Sequence, residues 1–269
     1  MLIKLFLALS GISPHIKKLL WRQWYQFLAG HHQTKDWSFM NYGYAPLHDH
    51  SDMVKLDEAD EPNRYFIQLY HHVVSAVDLT NLDVLEISSG RGGGASYIKR
   101  YLKPKAVTGV DFSDKAIRFC KHTHDVDGLS FVEGDAESLS FEAGRFDVVI
   151  NIEASHCYGS METFLGQAKK VLRHNGYLLY ADFRNKNDVA VLHRQMERSG
   201  MKILRREDIT PNVVRSLDLD NQRKLLLIRA FFQNWLVKPF QEFAGVKGSK
   251  IYTGFQSGTM IYLCYVLQK

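Results

Sequence analysis

From residue 83 to residue 183 the chain switches between two hydrophobic periods, and this alternation constrains the fold more than any other feature. "LDVLEIS", "AVTGVDFS", "LSFVEGDA", "FDVVINIEA" and "GYLLYADF" are short apolar runs bounded by turn-forming residues, the signature of strands. Between them "GASYIKRYL", "KAIRFCKHTH" and "METFLGQAKKVLR" space their apolar residues by three and four, which suits helices with one buried face. Strands linked through such helices run parallel with right-handed crossovers, and a parallel sheet is covered on both faces. The expected fold is a doubly wound α/β sheet. After residue 183, "NDVAVLHRQMERSG" reads as helix and "MKILRREDIT" contains a strand. Residues 211–250 read as a mostly helical cap or insertion, and "GTMIYLCYVLQK" as a last strand completing the sheet from its far side.

The first 60 residues do not join this pattern and form a separate lid segment, leaving 61–269 as the main domain. "MLIKLFLALSGIS" is too short to span a bilayer and lacks a small-residue cleavage site. It runs into "PHIKKLLWRQWYQFLAG", an amphipathic helix with Lys17, Lys18 and Arg22 interspersed. A helix packed over the domain is favoured over peripheral membrane contact. "NYGYAPLHDHSD" reads as loop, and "EADEPNRYFIQLYHHVVSAV" (58–77) as helix with Pro62 in its first turn. Hydrophobic residues make up 45% and the net charge is +5, which fits a soluble globular protein without a nucleic-acid footprint. Cys120, Cys157 and Cys264 lack paired spacing and read as free thiols in a reducing cytoplasm. His31-His32, His48-x-His50, His71-His72 and His122-x-His124 lack partners at ligand spacing, so no metal is expected; His48-Asp49-His50 is the best of them.

The sharpest motif is "LEISSGRGGGAS". Glu86 precedes Gly90, Gly92 and Gly94 at a strand-to-helix turn, where glycines permit a tight turn and close backbone approach to a ligand. Gly90, Gly92 and Ala95 also satisfy a dinucleotide pattern. Glu86 discriminates, because a carboxylate there repels a pyrophosphate. It attracts a ligand carrying an ammonium and a sulfonium by a few kcal/mol, to order of magnitude. S-adenosylmethionine is such a ligand. Asp111, ending the second strand, suits the ribose hydroxyls. Asp135, ending the third, suits an adenine amino group, with the backbone amide of Ala136 for a ring nitrogen. Ser88, Phe112, Asn151 and Tyr42 are assigned to the same pocket.

Residues 84–183 resemble the class I S-adenosylmethionine-dependent methyltransferases, through "VLEISSGRGGG", "GVDFS", "GDAESLSF", "FDVVINIEASHCY" and "VLRHNGYLLYADF" in that family's order. His174-Asn175-Gly176 stands where Pro-Gly-Gly is usual. "DEPNRYFIQLYHHV", "SGRGGGASY" and "NIEASHCY" are also similar to the mycobacterial phthiotriolone/phenolphthiotriolone dimycocerosate methyltransferases. The resemblance implies a seven-stranded, mostly parallel, Rossmann-like sheet and an enzyme that methylates a lipid hydroxyl. It also implies an N-terminal aromatic lid, "FMNYGYAP", from which Tyr42 or Tyr44 could reach the cofactor. Asn63 and Arg64 could do similar work.

An alcohol needs a base to take its proton as the new bond forms. His156 follows the fourth strand, and Asp182 ends the fifth, a neighbouring strand about 4.8 Å away. Asp182 can hold the imidazole's tautomer and stabilise its charged form, a pairing that resembles small-molecule O-methyltransferases of this class. Glu153 is an alternative base or partner, Tyr158 a possible pocket wall and Cys157 a packed thiol. The expected function is O-methylation of a hydrophobic small molecule. The alternatives are a C-methyltransferase on a sterol or prenyl chain, a dinucleotide-dependent oxidoreductase, and a binding module without catalysis.

Overall fold

A computed structural model describes residues 37–48 and 53–269. The amphipathic helix expected near the N-terminus, the His31-His32 pair and part of His48-Asp49-His50 lie outside them. The strands are β1 (Asp83–Ile87), β2 (Ala106–Asp111), β3 (Leu129–Glu133), β4 (Phe146–Ile152), β5 (Leu172–Asn185), β6 (Lys202–Asp208) and β7 (Met260–Gln268). They form one seven-stranded sheet in the order β3-β2-β1-β4-β5-β7-β6. The first five run parallel, as the crossovers require. The order reverses between β1 and β4, and a ligand site belongs at the carboxyl ends of those strands.

The last strand does not close the far edge. It inserts between β5 and β6, antiparallel to both, with Ala181 opposite Cys264 and Arg206 opposite Tyr265. Six of its nine residues are buried there. The His174-Asn175-Gly176 segment lies within β5 at an irregularity, with Asn175 at φ 63° and a register shift opposite Phe146 and Val148.

The helices are α1 (Arg64–Val74), α2 (Gly93–Tyr101), α3 (Asp114–Thr123), α4 (Met161–Val171), α5 (Val189–Arg198), α6 (Thr210–Phe231), α7 (Asn234–Phe243) and α8 (Lys250–Gln256). Where a helix over 58–77 was expected, α1 is shorter. Residues Glu58–Asn63 form a 3-10 turn containing Pro62, and Asn63 (φ −104°, ψ 13°) separates it from α1. Two apolar layers cover the sheet. One is built from α1, α2, α3, α6 and α8, with Ile67, Ile98 and Leu217 fully enclosed. The other is built from α4 and α5, with Phe164 and Met196 fully enclosed. Alternate residues of one strand feed the two layers, as Val84 and Leu85 do. Segment 37–48 crosses the carboxyl end of the sheet. It is tied down by Gly93 N–H to the Ser38 carbonyl, Tyr44 N–H to the Tyr65 carbonyl, and Ser216 Oγ to the Tyr42 carbonyl.

Candidate active site

A cavity of about 430 Å³ opens at the carboxyl ends of β1, β2, β3 and β4. Ser88–Arg91 of the glycine loop form one side, Asp111–Ser113 and Asp135–Glu137 the floor, and Glu153, Ala154, Cys157 and Tyr158 the far end. Ser38–Asn41 form the lid side. The loop needs its glycines. Gly90 has φ 53°, and a methyl group on it would come within 2.8 Å of Met40. Gly92 (φ 77°) is the residue before α2. A methyl group on Gly94 would lie 2.0 Å from the Tyr70 ring.

The carboxylates are individually placed. Asp111 is 6% exposed and accepts Gly90 N–H on one oxygen and Ser113 N–H on the other, so it braces the loop it faces. Burial raises its pKa to about 6, against the pull of those two amides. Asp135 accepts the Glu137 N–H and lines the wall beside Ala136; Phe112 lines it too. Glu86 lies behind the wall rather than on it. One of its oxygens accepts the Tyr70 hydroxyl at 2.6 Å, and Tyr70 lines the cavity. The other is buried without a hydrogen-bond partner. Burial lifts the Glu86 pKa to about 8, more than the Tyr70 and Ala95 donors lower it. An unsatisfied buried carboxylate behind a wall carrying Asp111 and Asp135 suits a ligand with a cationic end and hydroxyl groups. S-adenosylmethionine fits that description.

Three residues assigned to the cofactor from sequence stand elsewhere. Asn151 is fully buried under the loop, donating to the Ile87 carbonyl and to the Tyr158 hydroxyl. Tyr158 also bonds Ser88 Oγ at 2.6 Å, so Asn151 acts on the cavity only through its wall. Tyr42 presents its backbone N–H to Glu153 (2.7 Å), while its ring packs on Phe183 and Phe255. The lid therefore contributes Ser38–Asn41, not the Tyr42 phenol, which no spacing rule distinguishes beforehand. Arg64 turns away to Glu61 and the Val54 carbonyl. Arg91 was missed. It is 2% exposed, lines the cavity and stacks on Phe119 at 4.0 Å and Trp37 at 5.3 Å. A basic residue inside a glycine loop was its only signal.

At the reacting end the sequence expectation is partly redrawn. Asp182 does not end β5; the strand continues three residues beyond it. It is fully buried and accepts Ser155 Oγ (2.6 Å), His156 N–H (2.8 Å) and His156 Nδ1 (2.8 Å), with Arg184 at 3.1 Å. Burial would raise its pKa, but His156 and Arg184 hold it well below the usual carboxylate range. Burial works against the His156 imidazolium, while the adjoining Cys157 and Asp182 favour it, and the ring's pKa is raised to about 10. His156 sits in the 3-10 turn Ser155–Cys157 with its ring 4.4 Å from that of Phe183. It is not on the cavity wall, whereas Cys157, expected only to pack, and Glu153 are. Glu153 has φ 48°, and burial raises its pKa to about 8 against the Tyr42 N–H and Tyr262. Among the described residues no His, Cys, Asp and Glu cluster could hold a metal ion.

Comparison with known proteins agrees with this architecture. Residues 85–180 match the methyltransferase domain family. A phthiotriol/phenolphthiotriol dimycocerosates methyltransferase of Mycobacterium tuberculosis is 36% identical over 263 residues, 98% of this chain and 96% of the relative. A fatty-acid O-methyltransferase of Mycolicibacterium smegmatis is 37% identical over 218 residues, 80% of this chain and 79% of that protein. Among solved structures, geranyl diphosphate C-methyltransferase from Streptomyces coelicolor A3(2) is similar with TM-score 0.64, covering 91% of this chain and 97% of that one. Its identity is 14%, a likeness of fold.

Proposed function

The chain belongs to the family of the phthiotriol/phenolphthiotriol dimycocerosates methyltransferases and is an S-adenosylmethionine-dependent methyltransferase; from that premise we propose that it methylates a hydroxyl oxygen of an apolar, lipid- or polyketide-like small molecule, with His156 as general base. The observation that carries this reading is the His156–Asp182 pair, with His156 directly before Cys157 of the cavity's far wall. The acceptor class is supported by the relative named as a fatty-acid O-methyltransferase.

When bound, S-adenosylmethionine supplies an electrophilic methyl group and a neutral thioether leaving group. The chain has to orient the acceptor, exclude water and remove one proton. Glu86, buried behind Tyr70 of the wall, would favour the ligand's ammonium through its charge. Asp111 and Phe112 would hold the ribose side, Asp135 and Ala136 the adenine, and Ser88 the loop side. With Nδ1 committed to Asp182, Nε2 of His156 is the nitrogen that would take the acceptor's proton. Asp182, satisfied by four donors, keeps the ring's tautomer and stabilises the imidazolium that forms. The acceptor's apolar body would meet Phe183, Phe255 and the Tyr42 ring, which pack together where segment 37–48 passes Glu153. Closure of that segment would exclude water.

His156→Ala tests the base. Cofactor affinity by calorimetry should stay within a factor of two or so, while turnover falls about 10²–10⁴-fold. Full turnover in a variant that still binds cofactor would remove His156 from the mechanism. Nuclear magnetic resonance of the product made with isotope-labelled cofactor reports whether the new methyl sits on oxygen or on carbon.

A further inference from the structure

Residues 221–241 contain four cations, Arg223, Lys224, Arg229 and Lys238, and no carboxylate, in a chain that balances 34 lysines and arginines against 29 acids. The inward half of this stretch is accounted for. Ile228, Phe232 and Phe240 pack together with Trp37 as a small core. Lys224 is buried, and Arg223 pairs with Asp220.

The outward half has no such account. Beyond its first turn, the exposed positions of α6 fall at 219, 222, 226, 229 and 230, which is one helical stripe. That stripe carries Leu219 (52% exposed) and Leu226 (67% exposed), where a surface helix normally carries charge. Immediately past the α6–α7 corner, Trp235 is 66% exposed, its indole nitrogen bonded to Gln233. Arg229 and Lys238 are exposed beside these residues in sequence. A single exposed leucine means nothing. An exposed leucine at 226, a tryptophan at the next corner, flanking cations and no acid between 221 and 241, with the acids beside Leu219 paired to Lys247 and Arg223, together make an interfacial composition. Among the described residues no helix is long and apolar enough to cross a membrane.

We propose that the outer face of α6 and the start of α7 dock on an anionic lipid surface. Leu226 and Trp235 enter the boundary between headgroups and acyl chains, and Arg229 and Lys238 meet the lipid phosphates. The charge complementarity selects this occupant over a second copy of the chain, which would oppose the same cations to one another. Functionally the proposal rests on the reading of an apolar acceptor, since such a molecule resides in lipid. α6 also bonds the lid directly through Ser216.

The test uses the full chain and no acceptor, so it can fail separately from the proposed chemistry. Co-sedimentation is measured with vesicles of phosphatidylcholine alone and of equimolar phosphatidylcholine and phosphatidylglycerol. Binding should favour the anionic vesicles, weaken with salt, and drop at least about tenfold in Leu226→Glu/Trp235→Glu. Circular dichroism and S-adenosylmethionine affinity by calorimetry should stay unchanged in that variant. Equal binding to both vesicles overturns the proposal, as does binding that the double variant leaves intact. A dimer in sedimentation velocity that the same variant abolishes also overturns it, because the face would then belong to a second copy.

Discussion

The two candidate proton acceptors are set apart by their surroundings rather than by their chemistry. Glu153 faces the cavity in a left-handed backbone conformation, which costs a glutamate on the order of 1 kcal/mol. Its own N–H bonds the Ala181 carbonyl, and its carboxylate receives Tyr42 N–H. The strain is thus held in place from β5 and from the lid. His156 has a raised pKa because Asp182 stays ionised beside it, so at neutral pH the imidazolium predominates. A base must be neutral, and the neutral fraction grows about tenfold per pH unit below the ring's pKa. The specificity constant should therefore rise with pH from roughly 6 to 9. If ionised Glu153 is also required, an inflection near its value of about 8 is superimposed. Glu153→Gln should erase that inflection and keep the rise. A profile flat or falling over this range, at saturating cofactor, excludes His156 as the base.

At the scale of elements, the site depends on how closely α2 and its loop approach α1. Gly94 lies in the first turn of α2, with Tyr70 of α1 against it. The same tyrosine donates to Glu86 of β1. One glycine thus controls the fit of a helix, a strand and a buried carboxylate. Gly94→Ala should cost about 1–3 kcal/mol in chemical denaturation through overpacking. It should also weaken cofactor binding, since the ring cannot move without releasing Glu86; unchanged affinity in calorimetry would separate the two roles. The loop itself was legible as "GRGGG", because glycine is the residue that such a turn admits. The reason for Gly94 was not, because Tyr70 is 24 residues earlier and only packing brings it there. The His174-Asn175-Gly176 segment makes the same point. Its composition reads as a turn, yet the ladder to β4 continues past it as an irregularity in register.

Across the molecule, proton binding follows from the carboxylates the fold encloses. Glu86 and Glu153 each have pKa values raised to about 8, and Asp111 to about 6. These values exceed those of an unfolded chain, so between about pH 4.5 and 8 the native state holds protons that the unfolded state has released. Stability of the free protein should fall as pH rises through that window. A ligand cation beside Glu86 favours the carboxylate and lowers its pKa. Binding S-adenosylmethionine at pH 7 should then release up to about one proton. Calorimetry in phosphate and in Tris measures this directly, because the apparent enthalpies differ by the buffer's ionisation heat times the protons exchanged. Identical enthalpies in both buffers would mean that Glu86 does not change its protonation.

By itself the sequence determined the alternation of strands and helices, the parallel sheet and the cofactor chemistry. It also marked His156 and Asp182 as partners across neighbouring strands. The alternation and the glycine loop follow from local periods and from glycine's backbone freedom, which act within a few residues, while the His156–Asp182 pairing rests on the strand order that the family resemblance implies. Tertiary structure alone decided the rest. It slid β7 between β5 and β6, withdrew Glu86 and Asn151 behind the wall, and turned Tyr42's ring to Phe183 and Phe255. It also placed Glu153 and Cys157, rather than His156, on the cavity surface. Those outcomes depend on which side chains from distant segments compete for the same enclosed volume, a balance that no local period carries.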